Sequence, residues 1–269
     1  MTRRDVADLL LQLSERDQAV LESLRDHRLL TTALIQRLHF TFGPNARHSS
    51  QAAASGAAMR VLSRLERLGL VARLMRRIGG VRAGSSGIVW QLGATGERLL
   101  RTMHGEHKRR RYLEPSPAFV AHTLAVAQRA VRLRELGRSA LELVALETEP
   151  ACWRSFLGPH GARTWLKPDL FAITASGNYE DHWFIEVDRA TEHPAVVARK
   201  ALIYQRYAAT GAHQAEHDLF PAVVWVVPTQ RRKQVLEAAL PSKSSADSEL
   251  FRVITVSEFD AYITGINSR

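Results

Sequence analysis

Hydrophobic residues in the first 70 positions recur every three or four residues, which is the spacing of amphipathic helices. The run Ser14-Glu15-Arg16-Asp17 has the pattern of a capping box at the start of the first clear helix. Gly69 is a typical residue to end the last one. The pattern predicts three helices, which span 14–28, 32–38 and 51–68.

Beyond Gly69 the pattern changes to short apolar runs. We expect a strand over 71–78, a glycine-rich connection over 79–87 and a return strand over 88–92. Three helices followed by such a hairpin is the element order of a winged helix-turn-helix, so we predict this DNA-binding domain for residues 1–104.

The remainder of the chain alternates between helix and strand patterns. A basic run beside Pro115 and Pro117 predicts a linker over 105–117, and the second domain then covers 118–269. Its predicted order is helix, strand, two hairpin strands, helix, strand, helix, strand, which favours a mixed α/β sheet covered by helices. Residues 153–161 are expected to form an irregular connection within it.

The positive charge of the chain is concentrated in one segment. The net charge is +10, and residues 51–113 contain 13 Lys and Arg against 3 Asp and Glu, whereas residues 114–269 contain 17 against 18. A general bias toward arginine would not leave the last 156 residues slightly acidic. The local excess therefore indicates a surface that binds a polyanion, with double-stranded DNA as the expected partner.

The basic residues of this segment fall on the third predicted helix, the hairpin and the linker. Arginines on an exposed helix face can reach guanine edges and phosphates in a major groove. The alternatives are a merely solvated helix face or a winged helix that contacts protein. The candidate DNA-binding residues are Arg60, Arg64, Arg67, Arg73, Arg76, Arg77, Arg82, Lys108, Arg109, Arg110 and Arg111.

Carboxylates stand at the ends of two apolar runs in the second domain. Asp169 opens one run, Glu186 and Asp188 close the next, and the turn residues 176–178 lie between them. Pairing of the two strands as a hairpin brings these ends together, and Glu186 and Asp188 project from the same face. Because converging carboxylates repel one another, the pattern predicts a bound Mg²⁺ or Mn²⁺.

Two further residue types complete the predicted site. Glu149 or Glu147 ends the preceding predicted strand, and Lys200 in the following helix can supply a cation to position or activate water. Alternatively, Glu186, Asp188 and Arg189 form only a structural ion-pair network with Lys200. The predicted metal ligands are Asp169, Glu186 and Glu149, and the predicted catalytic residues are Asp169, Glu186, Asp188 and Lys200.

Pro-Asp at a strand start, followed by Glu at the end of the next strand, resembles the PD-(D/E)xK nuclease superfamily. Asp188 stands where that pattern has a lysine, which bears on catalysis rather than on fold. The fuller pattern resembles the replication-relaxation family of plasmids and mobile elements. The matching residues are His122, Leu124, Ala125, Val126, Lys167-Pro168-Asp169, residues 184–189, Lys200, Tyr204 and Tyr207.

The resemblance implies a winged helix followed by a restriction-endonuclease-like α/β domain. It also implies a DNA-binding protein of plasmid or mobile-element replication or transfer, with metal-dependent DNA nicking as its reaction. The alternatives are a non-enzymatic regulator, whose nuclease-like domain serves dimerisation or partner binding, and a regulator that senses a small molecule. A homodimer fits these interpretations, because many winged-helix proteins bind palindromes.

Other features of the chain narrow the cellular setting. A single cysteine, Cys152, excludes an internal disulfide bond. The sequence contains neither a secretion signal pattern nor an apolar run of about 18 residues. We therefore expect a cytoplasmic protein without a membrane partner.

Overall fold

The computed structural model describes residues 3–44, 46–74, 87–107, 115–158, 161–240 and 250–265. The chain separates into two compact units, Met1–Val131 and Arg132–Arg269. The division falls later than the expected linker, because Val120, Leu124 and Val131 belong to the hydrophobic core of the first unit. The functional boundaries expected from the sequence remain a prediction.

The first unit combines helices with a small antiparallel sheet of strand order β1-β3-β2. Its helices are α1 (Arg3–Leu11), α2 (Glu15–His27), α3 (Thr32–His39), α4 (Gln51–Arg67), α5 (Ala94–Met103) and the first part of α6 (Pro117–Leu136). Its strands are β1 (Leu30–Thr31), β2 (Val71–Arg73) and β3 (Val89–Leu92).

The three predicted helices of the first unit are confirmed as α2, α3 and α4. The capping box is also present, since the Ser14 hydroxyl accepts the Asp17 N–H and the Asp17 carboxylate accepts the Ser14 N–H. Strand β1 was not expected; its Leu30 is opposite Trp90 of β3. Residues 75–86, which include most of the predicted glycine-rich connection, lie outside the described residues.

The second unit is built on a five-stranded mixed sheet of order β10-β9-β8-β7-β4. Its strands are β4 (Glu142–Thr148), β5 (Arg154–Leu157), β6 (Arg163–Leu166), β7 (Leu170–Ser176), β8 (Tyr179–Val187), β9 (Ala222–Val227) and β10 (Phe251–Thr255). Its further helices are α7 (Pro194–Ala209), α8 (Ala212–His217), α9 (Gln230–Ala239) and α10 (Phe259–Ile263).

Strand directions in this sheet follow from the connections. The β4–β7 and β7–β8 pairs are antiparallel, and β8–β9 and β9–β10 are parallel, each parallel pair being joined through helices. Strand β9 lies between two neighbours; all six of its residues are apolar and the last five are buried, as expected for a strand that is covered on both faces. The mixed α/β sheet expected from the sequence is therefore confirmed. None of the described helices is long and apolar enough to cross a membrane.

The expectation of an irregular connection over 153–161 is wrong, because β5 and β6 form an antiparallel hairpin. Each strand has only four residues, so its alternation is too short to stand out in the sequence. Phe156 and Leu166 are buried in the core of the second unit and hold one face of the hairpin against it.

We predict opposite effects on stability for two glycine-to-alanine substitutions in helices of the first unit. A β-carbon at Gly96 would lie 2.1 Å from the carbonyl oxygen of Leu70, so Gly96→Ala should cost about 2 kcal/mol or more. At Gly56 the nearest atom is the flexible tip of Arg60 at 3.4 Å, and Gly56→Ala should stabilise by about 0.5–1 kcal/mol. Urea unfolding monitored by circular dichroism measures the unfolding free energy of both variants. Equal values for the two variants would contradict the close contact at Gly96 and the longer contact at Gly56.

Candidate functional site

Asp169 lies where β7 begins and β8 ends. The register pairs Leu170 with Ile185, which brings Asp169 beside Glu186. The Asp169 side chain is buried, and its Oδ2 accepts the Val187 N–H at 2.7 Å. The carboxylate therefore replaces a strand carbonyl and completes the hydrogen bonding at this end of the sheet.

Glu186 is the buried centre of the site, with 4% of its surface exposed. Its Oε2 accepts a hydrogen bond from Lys200 Nζ at 2.5 Å, and its Oε1 accepts one from the Tyr204 hydroxyl at 2.5 Å. Lys200 and Tyr204 are four residues apart on α7 and so project from the same helix face. We call Asp169, Glu186, Lys200 and Tyr204 the Glu186 cluster.

Burial dominates the electrostatics of the cluster. Burial raises the pKa of Glu186 to about 7, against the opposing attraction of Lys200 and with a further contribution from the negative charge of Asp169. Burial alone would lower the pKa of Lys200, but attraction to Glu186 and Asp169 outweighs it and the net pKa is raised. Lys200 is therefore protonated at neutral pH and acts in this arrangement as a cation, not as a base.

Asp188 forms a network of its own. Its Oδ2 accepts a hydrogen bond from Arg232 Nε at 2.6 Å, and its Oδ1 accepts the Ala190 N–H at 2.5 Å. Arg232 also donates to the carbonyl oxygen of Glu192 at 2.7 Å. The sequence-based reasoning missed Arg232, which lies in α9 and is 44 residues from Asp188.

The two glutamates considered as a further metal ligand have different surroundings. Glu147 Oε2 accepts a hydrogen bond from an Arg154 guanidinium nitrogen at 2.8 Å. Glu149 is half-buried beyond the end of β4, and its charge adds to burial in raising the pKa of the Cys152 thiol. Glu147 thus pairs with a cation, and both glutamates raise the pKa of the Cys152 thiol, Glu149 more strongly.

The donors do not form a ready metal site in this arrangement. Within the described part of the chain, no group of three His, Cys, Asp or Glu side chains is placed to hold a metal ion. Both carboxylate oxygens of Glu186 already accept hydrogen bonds, and one oxygen of Asp169 accepts the Val187 N–H. Binding of Mg²⁺ or Mn²⁺ by Asp169, Glu186 and Glu149 remains a prediction.

Cys152 connects the β5–β6 hairpin to the Glu186 cluster. Its buried thiol donates to the carbonyl oxygen of Pro168 at 3.1 Å, directly before Asp169. Sequence-based reasoning did not find this hydrogen bond, because a lone cysteine in a loop does not reveal its partner. The thiol fixes the start of the hairpin to the segment that carries Asp169.

Two of the predicted DNA-binding arginines of the first unit, Arg64 and Arg73, form ion pairs within the unit. Arg64 forms an ion pair at 2.5 Å with the buried Asp17. Burial alone would raise the pKa of Asp17, but hydrogen bonds from Arg64 and Ser14 outweigh burial, and the net pKa is lowered. Arg73 pairs with Glu66 at 2.8 Å and has its guanidinium 5.0 Å from the Trp90 ring centroid.

Arg60 and Arg67 lie on exposed positions of α4, and Arg73 is also exposed although it is ion-paired. The side chains of Arg60 and Arg67 are therefore better placed to meet a partner than the ion-paired Arg64 and Arg73. The other candidates lie outside the described residues; they are Arg76, Arg77, Arg82, Lys108, Arg109, Arg110 and Arg111.

A family model described as replication-relaxation matches residues 21–223 of this chain. The match spans most of both units, and the chain belongs to the replication-relaxation family. This confirms the family expected from the sequence. No curated protein sequence matches the chain.

One solved structure similar to this chain is described as the structure of restriction endonuclease FokI bound to DNA. The identity is 10% over 88% of this chain, and the TM-score is 0.26. The chain covers 62% of the length of that protein. At this TM-score the likeness supports no conclusion about fold or activity.

We expect the Glu186 carboxyl to titrate near pH 7, and Lys200→Met should move that midpoint upward. The physical reason is that the Lys200 ammonium stabilises the ionised carboxylate, so its removal favours the protonated form. Carboxyl-carbon NMR of the titrating protein measures the midpoint. Lys233→Met is the matched control, because Lys233 pairs with Glu258. An unchanged Glu186 midpoint in Lys200→Met would show that the ion pair does not exist in solution.

Proposed function

We propose that the chain is a DNA-binding protein of plasmid or mobile-element replication or transfer. Membership in the replication-relaxation family supports this, and the exposed basic face of α4 is the observation that carries it. The elements run α2, β1, α3, α4, β2, β3, which is the order of a winged helix-turn-helix. In such a domain α4 takes the position of the recognition helix in the major groove.

The outer face of α4 suits a close approach to DNA. Small residues there let a helix backbone come near a duplex, while arginines supply cations and donors for phosphates and guanine edges. A helix of about 10–12 Å diameter also matches the width of a major groove. The residues that line a shallow groove on this face are Ser55, Gly56, Met59, Arg60, Val61, Ser63, Arg64 and Arg67.

We predict that joint replacement of Arg60 and Arg67 by glutamine lowers the affinity for duplex DNA about 10-fold or more. The slope of log affinity against log salt should also flatten by about 0.9 for each phosphate that the variant no longer neutralises. Fluorescence anisotropy with duplexes selected from a random pool measures both quantities.

The matched control for that experiment is Arg98→Gln, which removes one exposed arginine from α5 of the same unit. Its affinity should stay within about twofold of wild type, since α5 lies outside the helix proposed to enter the groove. Arg64→Gln is unsuitable, because it would also remove the partner of buried Asp17. Unchanged affinity in the Arg60 and Arg67 double variant would contradict the assignment of α4.

For the second unit we propose a nuclease-like domain that contributes to DNA binding without cutting in the arrangement described. The order α6, β4, β7, β8, α7, β9, with the short β5–β6 hairpin inserted, supports the nuclease-like core that the sequence resemblance implied. Internal partners for Glu186 and Asp188 support the absence of cutting, since these carboxylates are already neutralised by Lys200 and Arg232.

Metal-dependent nicking is the second candidate, and one observation favours it. Asp169 and Glu186 lie side by side with the ammonium of Lys200, which combines adjacent carboxylates with a cation. A bound Mg²⁺ or Mn²⁺ would supply activation of water. To bind the metal ion, Glu186 would have to give up a hydrogen bond from Lys200 or Tyr204, because both of its carboxylate oxygens are already acceptors.

A plasmid-relaxation assay separates the two candidates. The plasmid carries the duplex sequence selected in the binding experiment, and Mg²⁺ and Mn²⁺ are titrated. We expect no relaxation by wild type or by Asp169→Asn, while both still bind duplex DNA. Asn is preferred to Ala because its side-chain oxygen can still accept the Val187 N–H.

The control is Asp218→Asn, an exposed position with φ 62°, where asparagine is well tolerated. Relaxation by wild type and by Asp218→Asn, with none by Asp169→Asn, would overturn the proposal of binding without cutting. It would establish the Glu186 cluster as a nicking centre.

A further inference from the structure

The β5–β6 hairpin has one face in the core and one face exposed. Its register places Ser155 opposite Trp165 and Leu157 opposite Arg163 on the outer face. Leu157 is 72% exposed and Trp165 is 46% exposed, and the two apolar side chains lie on the same face of the hairpin. The outer face of the hairpin therefore has the character of a binding surface.

The exposed Trp165 on this outer face is bordered by the half-buried Trp153 and by two cations. The rings of Trp153 and Trp165 meet edge to face with centroids 6.4 Å apart, and Lys167 Nζ lies 4.4 Å from the Trp153 ring centroid. Lys167 and Arg163 are exposed. We define the tryptophan face as Trp153, Ser155, Leu157, Arg163, Trp165 and Lys167.

The chemistry of the tryptophan face favours nucleic acid over protein. None of its six residues is acidic, so its two cations are not neutralised from within the face. An exposed aromatic ring beside cations is an arrangement with which proteins hold single strands, because a base stacks on the ring while the cations contact phosphates. Bases in a duplex are already stacked on one another and cannot offer their faces in this way.

We propose that the tryptophan face binds unpaired bases of single-stranded DNA, with Trp165 as the stacking surface, Trp153 packed against it, and Lys167 and Arg163 on the phosphates. The proposal rests on the proposed DNA-binding function and adds the form of DNA that the second unit takes. A protein that acts in replication or transfer meets such strands wherever a duplex is opened.

The tryptophan face lies close along the chain to Asp169 of the Glu186 cluster. Lys167 is two residues before Asp169, which is at most about 7 Å of backbone. The Cys152 thiol, next to Trp153, holds the same segment through the carbonyl oxygen of Pro168. The tryptophan face and the Glu186 cluster are therefore joined by a short, hydrogen-bonded segment of the chain.

Intrinsic fluorescence of the full chain tests the proposal directly. Trp90, Trp183 and Trp225 are 0%, 7% and 2% exposed, so a quenching ligand reports mainly on Trp153 and Trp165. We expect a 12-nucleotide oligothymidylate to quench the emission. Its affinity, measured by anisotropy of a labelled oligonucleotide, should fall about 10-fold in Trp165→Ala and change little in Trp165→Phe.

Two further variants sharpen the test. Lys167→Gln should weaken oligothymidylate binding and flatten its salt dependence without removing a ring. Tyr179→Ala removes a 79% exposed aromatic residue at the β7–β8 turn and should leave the affinity unchanged. Circular dichroism confirms that each variant is folded.

The proposal is overturned if Trp165→Ala and Lys167→Gln both bind oligothymidylate as wild type does. It is also overturned if Trp165→Ala changes the molecular mass in solution while the oligonucleotide affinity stays the same, since the face would then join two copies of the chain. Duplex binding through Arg60 and Arg67 uses a different ligand, so failure of the proposed function is seen separately from failure here.

Discussion

A buried carboxylate is the constraint on which the second unit depends. Glu186 lies at the end of a central strand, where solvent cannot compensate its charge, and an unpaired buried carboxylate would be strongly destabilising. Both of its hydrogen-bond donors, Lys200 and Tyr204, come from one face of α7. The position of that helix against the sheet is therefore tied to one side chain, and the apolar residues of the helix pack around it.

Two neighbouring carboxylates are also paired with cations. Asp188 pairs with Arg232, and Glu147 pairs with Arg154, so these two carboxylates each have a separate cation. Because Asp169 uses one oxygen to accept a backbone N–H of β8, the fold of the hairpin and the charge pattern of the cluster are parts of one arrangement.

Sequence patterns predicted what depends on local spacing and could not predict what depends on packing. The turn at 176–178 and the alternation of β7 and β8 determine the register, so the meeting of Asp169 and Glu186 was foreseeable. The pairing of Asp188 with Arg232 was not, because it depends on where α9 lies against the sheet. In the first unit, hydrophobic spacing predicted the helices. The ion pair between Arg64 and Asp17 could not be predicted in this way, because it depends on how α4 packs against α2.

Cys152 has a consequence beyond its role in positioning the hairpin. The thiol is buried and hydrogen-bonded, and burial with nearby carboxylates raises its pKa, so the reactive thiolate is scarce in the folded protein. Since the chain has no other cysteine, the rate of its alkylation measures how often this part of the second unit opens. The protein thus contains a native reporter of local unfolding beside the segment that carries Asp169, without any engineered label.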